Sequence, residues 1–360
     1  PKTGTVVLLR TVKEDVDNLH GVLVDFIHNL FFRHLLVNPK ERRVVVIESI
    51  IGESSHFRET VAKVLFNHFE VPSVLFAPSH LLAVFTLAIP SGLVLDAGYN
   101  ETHALPIYEG TPLLKAWQAI PTAAKSFHQA LEAQLLESAS FCAGRGEEKP
   151  FTSVTNTVKE PVLEDIKVRC CFVTTLERAK VIQSVLQGKE DVSKLPAAPP
   201  AVEYPLDGGH TLKIPGKIRE HVGELLFEQD NEEKSVATLI LDSLLLCPID
   251  TRKTLAENIV ITGGTSMLTG FKQRLREEIY DLLQKPKYNN LAIKQFKFHK
   301  PPAKENYVSW LGGAILGDLE VLSGRSISRE TYLKTKYVPD WSSLHQSEEK
   351  EEKPAAPPRK

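Results

Sequence analysis

The stretch Asn258-Ile-Val-Ile-Thr-Gly-Gly-Thr-Ser-Met-Leu-Thr-Gly-Phe271 joins a short apolar run to a pair of glycines. We interpret residues 259–261 as a buried strand and the Gly263-Gly264 pair as a tight turn. Glycine lacks a Cβ and tolerates positive φ, so a ligand can lie directly on the backbone of such a turn. We expect a helix after the turn, capped by Thr265 or Ser266. Its apolar residues at helical spacing are Phe271, Leu275, Ile279 and Leu282.

A second strand and turn lie far upstream, in Leu93-Val-Leu-Asp-Ala-Gly-Tyr-Asn-Glu-Thr-His103. Asp96 lies where the apolar strand ends, and the apolar residues of 104–107 predict the second strand of a hairpin. A carboxylate at this point can hold a hydrated Mg²⁺, while the N–H groups around Gly98 can face a phosphate. Taken singly, the upstream segment is consistent with an ordinary hairpin and the paired glycines with a plain turn. Taken together, they favour a nucleotide site.

With Trp310-Leu-Gly-Gly-Ala-Ile-Leu-Gly317 at a helix start, the two turns resemble the actin family. Further segments match that family in the same order: Pro106-Ile-Tyr-Glu-Gly110, Leu163-Glu-Asp-Ile-Lys167, Tyr204-Pro-Leu-Asp-Gly208, Cys247-Pro-Ile-Asp-Thr-Arg252 and Pro301-Pro302. The resemblance covers about residues 13–341. It implies an α/β fold of the actin, Hsp70 and sugar-kinase type, with two lobes on either side of a central cleft.

Within that family, the chain resembles the actin-related proteins of the dynactin pointed end. The segments that carry this similarity are Arg33-His-Leu-Leu-Val-Asn-Pro39, Ser55-His-Phe-Arg-Glu59, Phe69-Glu-Val-Pro-Ser73, Leu226-Phe-Glu-Gln-Asp-Asn-Glu-Glu233, Ser235-Val-Ala-Thr-Leu-Ile-Leu-Asp242 and Val338-Pro-Asp-Trp341. The similarity implies a structural subunit that caps the pointed end of dynactin's short actin-like filament and supports dynein-driven transport along microtubules. The implied partners are the filament protomers, the other pointed-end subunits and, indirectly, dynein, in the cytoplasm and cytoskeleton.

The resemblance also divides the chain into domains. It assigns residues 1–88 and 309–344 to the first lobe, and residues 89–308 to the second lobe with an inserted subdomain at about 123–213. We expect the first lobe to be truncated at its N-terminus, with an exposed sheet edge. The loop that an actin subunit offers to its neighbour would lie before Arg10, where little chain remains, which favours capping. Residues 345–360 are charged and proline-containing, so we expect disorder there.

The resemblance carries individual binding roles onto this chain. It implies that Asp96 is the Mg²⁺ ligand and that Asp96, Ala97 and Gly98 form the second phosphate loop. It places Lys167 beside the base. It assigns the adenosine loop to Gly263, Gly264, Thr265 and Met267. The implied cofactor is ATP or ADP with Mg²⁺, bound weakly or not at all.

Several positions depart from the pattern of an actin-fold ATPase. No first phosphate loop is recognised in residues 1–40, and Tyr99 replaces the second aspartate of the second loop. Val168 replaces the acidic residue that contacts the ribose, and Ser79 stands at the position of the water-orienting glutamine. Near-attack geometry is lost with small misplacements, so we expect no enzyme activity. The alternatives are an actin-fold ATPase and a nuclear actin-related subunit of a chromatin-remodelling complex.

Composition is consistent with these expectations. The chain has 360 residues, 42% of them hydrophobic, which is enough for one large core or two smaller ones. The formal net charge of −2 comes from both signs mixed along the chain, so nothing indicates a nucleic-acid partner. No uninterrupted apolar run reaches the roughly 20 residues of a membrane span, so we expect no membrane insertion. The four cysteines have neither zinc spacing nor the density of a disulfide scaffold, which indicates reduced, buried thiols.

Strand and helix patterns alternate along the chain, which predicts a parallel or mixed sheet covered by helices. We expect short strands at residues 5–9, 113–119 and 172–174, a surface loop at 142–160 and a hairpin at 204–214. The Lys-, Pro- and Ala-rich residues 188–201 are expected to form a mobile connection.

Overall fold

The computed structural model describes residues 16–49, 55–143, 148–186, 189, 191–319 and 322–338. The chain forms two compact units, residues 1–82 with 310–360 and residues 83–309. The lobe boundaries and inserted subdomain inferred from the sequence stay predictions. The strand expected at residues 5–9 and the tail at 345–360 lie outside the described residues.

The first unit is built on a three-stranded sheet. Its strands are β1 (Val44–Glu48), β2 (Ser73–Pro78) and β12 (Ile327–Ser328), in the order β1-β2-β12. β1 runs parallel to β2 with Val44 opposite Val74, and β12 is antiparallel to β2. The helices are α1 (Val16–Asn29), α2 (Ser55–Lys63), α3 (Ser79–Phe85), α11 (Val308–Asp318), α12 (Leu322–Arg325) and α13 (Arg329–Thr335), with π-helical extensions Leu30–Leu35 and Val64–His68. The last residues of α3 and the first of α11 belong to the second unit.

Alternate residues of the sheet strands enter two apolar clusters of the first unit. Val74 and Phe76 pack into the cluster that contains residues of α1 and α2, whereas Leu75 and Ala77 pack with Leu82. This alternation follows from the strand period of two. Both faces of the sheet are therefore covered by apolar side chains, as the alternating βα pattern predicted.

The second unit contains two sheets. In the first, β11 (Ile259–Thr262), β3 (Gly92–Ala97), β4 (Thr102–Tyr108) and β5 (Thr111–Pro112) lie in that order, and β6 (Gln118–Ile120) also pairs with β4. In the second, the order is β8 (Glu148–Pro150), β7 (Ser140–Ala143), β10 (His210–Ile214) and β9 (Val202–Leu206). The expected hairpins at 93–107 and 204–214 are both antiparallel pairs.

Helices of the second unit surround these sheets. They are α4 (Ala124–Ser138), α5 (Glu160–Cys170), α6 (Leu176–Leu186), α7 (Gly216–Glu224), α8 (Val236–Leu246), α9 (Ile249–Ala256) and α10 (Phe271–Leu282). α8 is apolar around nearly its whole circumference and is mostly buried, as expected for a central helix. Ser235 caps it by accepting a hydrogen bond from the Thr238 N–H.

The helix after the paired glycines begins later than predicted. Residues Thr265–Met267 form a 3₁₀ turn, and α10 starts only at Phe271. The chain turns at Gly270, which has a φ of 87° and lies so close to Val173 that a Cβ would be 2.1 Å from its carbonyl oxygen. Thr265 and Ser266 are therefore not caps of this helix. Its predicted apolar face is nevertheless correct, since Phe271, Leu275, Ile279 and Leu282 are all buried.

Three other local predictions are wrong. Residues 113–119 are not one strand, because β5 ends at Pro112 and a 3₁₀ turn, Leu114–Ala116, precedes β6. Residues 172–174 form no strand, since Phe172 and Val173 donate single backbone bonds to Arg219 and Thr269. The predicted loop at 142–160 contains part of β7 and all of β8, where Cys142 is half-buried. The other three thiols are buried and free, as predicted.

Among the described residues, no helix combines the length and the apolar composition that crossing a bilayer requires.

Candidate functional site

The two predicted turns meet at one edge of the main sheet of the second unit. β3 and β11 are adjacent and parallel, with Asp96 opposite Thr262, so their carboxyl ends point the same way. Gly263 adopts a φ of 91°, and a Cβ there would lie 2.2 Å from the Ala97 oxygen and 2.5 Å from Asp96 Oδ1. Only glycine permits this approach. Gly264 has open space around it, with no heavy atom within 4 Å of a Cβ position.

Hydrogen bonds join the two turns. The Gly98 N–H donates to the Glu101 oxygen across 3.1 Å and closes the hairpin turn. Thr265 Oγ1 donates to the Gly98 oxygen across 2.6 Å. The Lys125 N–H, at the start of α4, donates to the Tyr99 oxygen across 2.8 Å. These bonds fix the hairpin turn against the glycine turn and against α4. We call the pair of turns, residues 96–101 and 263–267, the phosphate-side turns.

Asp96 is half-buried, and the ring of His103, which the sequence analysis did not single out, lies between it and Glu101. Its cross-strand neighbour is His103, whose Nε2 is 4.0 Å from Asp96 Oδ2, and Glu101 Oε1 is 3.8 Å from the other ring nitrogen. Burial, with a contribution from the charge of Glu101, raises the pKa of Asp96 to about 6. Burial lowers the pKa of His103 to about 4. At neutral pH this is a carboxylate beside a neutral imidazole, and both can ligate a metal.

Lys167 belongs to a second group of side chains. It is almost fully buried in α5, and its Nζ lies 2.6 Å from Glu164 Oε2. His128 of α4 approaches the same oxygen with Nε2 at 3.0 Å, and its ring makes an edge contact with Tyr99. Hydrogen bonds from His128 and then Lys167 outweigh partial burial and lower the pKa of Glu164 to about 2. We call Tyr99, His128, Glu164 and Lys167 the base-side cluster.

The surroundings of Met267 complete the candidate site. Met267 is exposed and lines a shallow pocket of about 300 Å³, together with Ser266, Leu268, Gly270, Lys272, Gln273 and Glu305. Lys272 and Glu305 form an ion pair at its edge. Val168, at the position of the ribose-contacting acid, is exposed and apolar. The pocket is lined mostly by polar and charged side chains, with Met267 and Leu268 as its apolar contacts, and the carboxylate that the resemblance implies for a ribose is replaced by Val168.

The structure therefore brings Asp96, Ala97, Gly98, Gly263 and Thr265 into one network of contacts. Within the described part of the chain, Lys167 is connected to this network through Glu164, His128 and Tyr99. The sequence analysis missed His103, although counting along the hairpin places it opposite Asp96. Glu164 carried a weaker signal, because its position three residues before Lys167 places both on one helix face. That these residues bind nucleotide stays a prediction.

The donor set of the phosphate-side turns fits a magnesium-bound phosphate only in part, because the Gly98 N–H, expected to face a phosphate, donates to the Glu101 oxygen and the Gly263 N–H donates to the Glu305 oxygen. Gly264 leaves open space at the backbone, and Asp96 offers a carboxylate oxygen. Backbone N–H groups in tight turns and oxygen ligands suit phosphate and Mg²⁺ respectively.

Comparison of the sequence with known proteins shows the family of this chain. A model of the family described as Actin matches residues 14–335. The chain belongs to the actin family. The predicted α/β actin-like fold is thereby confirmed. Members of this family generally bind a nucleotide with Mg²⁺.

Two relatives from Dictyostelium discoideum illustrate the position within the actin family. "Actin-related protein 10" is 29% identical over 361 residues, covering 89% of this chain and 72% of that protein. "Putative actin-29" is 27% identical over 311 residues, covering 86% and 73% respectively. The resemblance to actin-related proteins inferred from the sequence is confirmed.

Proposed function

We propose that this member of the actin family is a non-catalytic structural subunit that caps the pointed end of the actin-like filament of dynactin. In that role it lies in the cytoplasm, as part of the cytoskeleton, and supports dynein-driven transport along microtubules. Its partners are the filament protomers and the other pointed-end subunits.

The base-side cluster carries the non-catalytic part of this proposal. Lys167, the cation that the resemblance assigns to the base, is buried and bonded to Glu164. His128 approaches the same carboxylate, and Tyr99 replaces a carboxylate beside the phosphates. A nucleotide base would have to displace internal hydrogen bonds to reach Lys167. This cost works against tight substrate binding and against the alignment that turnover needs.

The filament-end part rests on similarity. The relative named "Actin-related protein 10" aligns with most of this chain, and segments such as Ser55–Glu59 and Leu226–Glu233 resemble pointed-end subunits more than actin itself. A nucleotide with Mg²⁺ on the phosphate-side turns would then act structurally. It would stabilise the folded chain by mass action without being consumed.

An actin-fold ATPase is the second candidate, because the two phosphate-side turns meet at one edge of the sheet. What supports it is that Asp96, Gly98 and the two glycines lie close together, with Gly263 against Ala97 and Thr265 bonded to Gly98. This candidate predicts phosphate release that depends on Asp96. The non-catalytic proposal predicts the opposite: the purified chain with Mg²⁺ and ATP should release no phosphate above the level of an Asp96→Ala variant. Turnover abolished by that substitution would support the ATPase and overturn the non-catalytic assignment.

The capping role is tested by locating the chain in its native assembly. An affinity tag on the chain should co-purify actin-like filament protomers and pointed-end subunits. A label on the tag, viewed by electron microscopy, should appear at one end of the short filament. A label in the middle of the filament, or purification with chromatin-remodelling subunits instead, would overturn the proposal.

A further inference from the structure

Helix α1 and the π-helical segment Leu30–Leu35 expose an unusual amount of apolar side chain. Leu35 is 52% exposed and Leu36 is 78% exposed. Three more large apolar residues nearby are also exposed: Phe26, Leu30 and Phe32. Single exposed apolar residues are ordinary, but a contiguous group of this kind is typical of an interaction site.

These side chains are not the core face of the helix. That face is formed by Leu19, Leu23, Ile27 and Phe31, which are buried in the apolar cluster of the first unit. The exposed residues lie on the other sides, so the second half of the helix is apolar around much of its circumference. A helix of this composition is usually covered on more than one side.

The backbone projects Leu36 outward. The π-helix ends there with Leu36 in the left-handed conformation, at a φ of 53°. Residues other than glycine, asparagine and aspartate seldom adopt this backbone conformation. The Val37 N–H donates to the Phe31 oxygen and closes the turn. Leu36 is thereby held away from the core that the rest of the helix contacts.

The charge around this apolar group is mainly positive. Arg33 and His34 lie in the last turn of the π-helical segment Leu30–Leu35. Arg42 and Arg43 follow the short 3₁₀ segment Pro39–Glu41, and all four side chains are exposed. Among the residues that the structure describes, none of the three arginines forms an ion pair, whereas Lys40 is paired with Glu70. The exposed acidic residues of this stretch are Asp25 and Glu41. Oppositely charged partners are therefore favoured and like-charged ones disfavoured.

We propose that residues 26–43 form a docking surface for a partner protein that presents an apolar, acidic segment. The apolar side chains supply contact area, and the three arginines select carboxylates. A second copy of this chain, docked through the same surface, would place arginines opposite arginines. An anionic membrane fits less well, because the apolar side chains face several directions and Asp25 lies among them. The proposal goes beyond the capping role and does not depend on it.

Two labelled peptides test this proposal by fluorescence anisotropy with the full chain. One is an amphipathic helical peptide of leucine and glutamate, and the other has every glutamate replaced by lysine. We expect the glutamate peptide to bind at least about tenfold more tightly, with a preference that weakens as salt is added. The variant with Leu35→Ser and Leu36→Ser should lose most of this binding. Arg33→Glu, Arg42→Glu and Arg43→Glu together should reverse the preference. Equal affinity for the two peptides would overturn the proposal.

A matched control comes from the second unit. Leu246 and Ile249 are 55% and 82% exposed, so replacing both by serine removes a comparable exposed pair elsewhere. This control variant should bind the glutamate peptide as the parent does, and equal weakening would overturn the proposal. Binding to phosphatidylserine vesicles but not to the peptide would overturn it, as would a dimer in light scattering that the Leu35 and Leu36 substitutions abolish. We expect every variant to fold, because all the substituted side chains are exposed, and circular dichroism of each variant checks this.

Discussion

The roles of the phosphate-side turns and of the base-side cluster were predicted from the same resemblance, yet different interactions stabilise the two regions. The phosphate-side turns depend on backbone proximity, since Gly263 lies against Ala97 where no side chain fits. The base-side cluster depends on charge, since Glu164 accepts from Lys167 and its Oε2 lies 3.0 Å from His128 Nε2. A backbone approach of this kind survives changes in neighbouring side chains as long as the glycine is kept. In a charge cluster, by contrast, a single substitution changes which side chains are paired.

The largest expected effect is on the phosphate-side turns. Gly263→Ala forces a Cβ to within 2.2 Å of the Ala97 oxygen at a φ of 91°, so the backbone must move. We expect a loss of about 3 to 5 kcal/mol in the free energy of unfolding, measured by urea denaturation. Gly264→Ala is the control, because it meets open space and an ordinary φ of −66°. A similar loss in both variants would refute the close-approach argument.

The base-side cluster should respond to removal of its shared acceptor. Glu164→Gln leaves the Lys167 ammonium buried with a neutral partner, and we expect a loss of about 2 kcal/mol in unfolding free energy, reduced because Glu164 is half-exposed. Lys167→Met removes the buried charge and should cost less. The double variant should resemble Lys167→Met. Additive losses in this cycle would mean that the two side chains are not coupled.

Acid should weaken the same cluster. The pKa of Glu164 lies below its ordinary value of 4.5, at about 2 in the folded chain. The stabilisation that it provides is therefore complete above pH 4.5 and lost as the pH falls towards 2. The difference in unfolding free energy between parent and Glu164→Gln should shrink over this interval. A difference that stayed constant would show that the ionised form is not what His128 and Lys167 stabilise.

Asp96 should show the opposite dependence on pH. Its pKa is raised from 3.8 to about 6, so the ionised form is less stable in the folded chain than in the unfolded chain. Asp96→Asn should raise the unfolding free energy by about 1 to 3 kcal/mol above pH 6, and the gain should disappear near pH 4. The exposed Asp250→Asn serves as the control and should change little. If Mg²⁺ and ATP stabilise the parent chain, Asp96→Asn should lose that stabilisation.

The features of the candidate site that sequence predicts are local ones. Asp96 at a strand end, the Gly263-Gly264 turn and the buried face of α10 each follow from a period or a residue type within a short segment. His103 could also be placed, because strand alternation fixes its position opposite Asp96. The resemblance to actin added which of these segments belong together.

The features that sequence did not predict depend on contacts between distant segments. α10 begins at Phe271 because Val173, far away in sequence, leaves no room for a side chain at Gly270. His128 and Glu164 meet because α4 and α5 pack together, and neither residue type signals the other. Propensity and periodicity contain no information about such pairs.

The smallest expected effect tests whether the two turns are joined by their hydrogen bond or only by packing. Thr265 Oγ1 donates to the Gly98 oxygen across 2.6 Å, and Thr265 is buried. Thr265→Val keeps the shape and removes the donor, so we expect a loss of about 1 kcal/mol in urea denaturation. Thr265→Ser keeps the donor and should cost less than Thr265→Val. The reverse order would mean that the methyl group matters more than the bond, so that packing would hold the turns together.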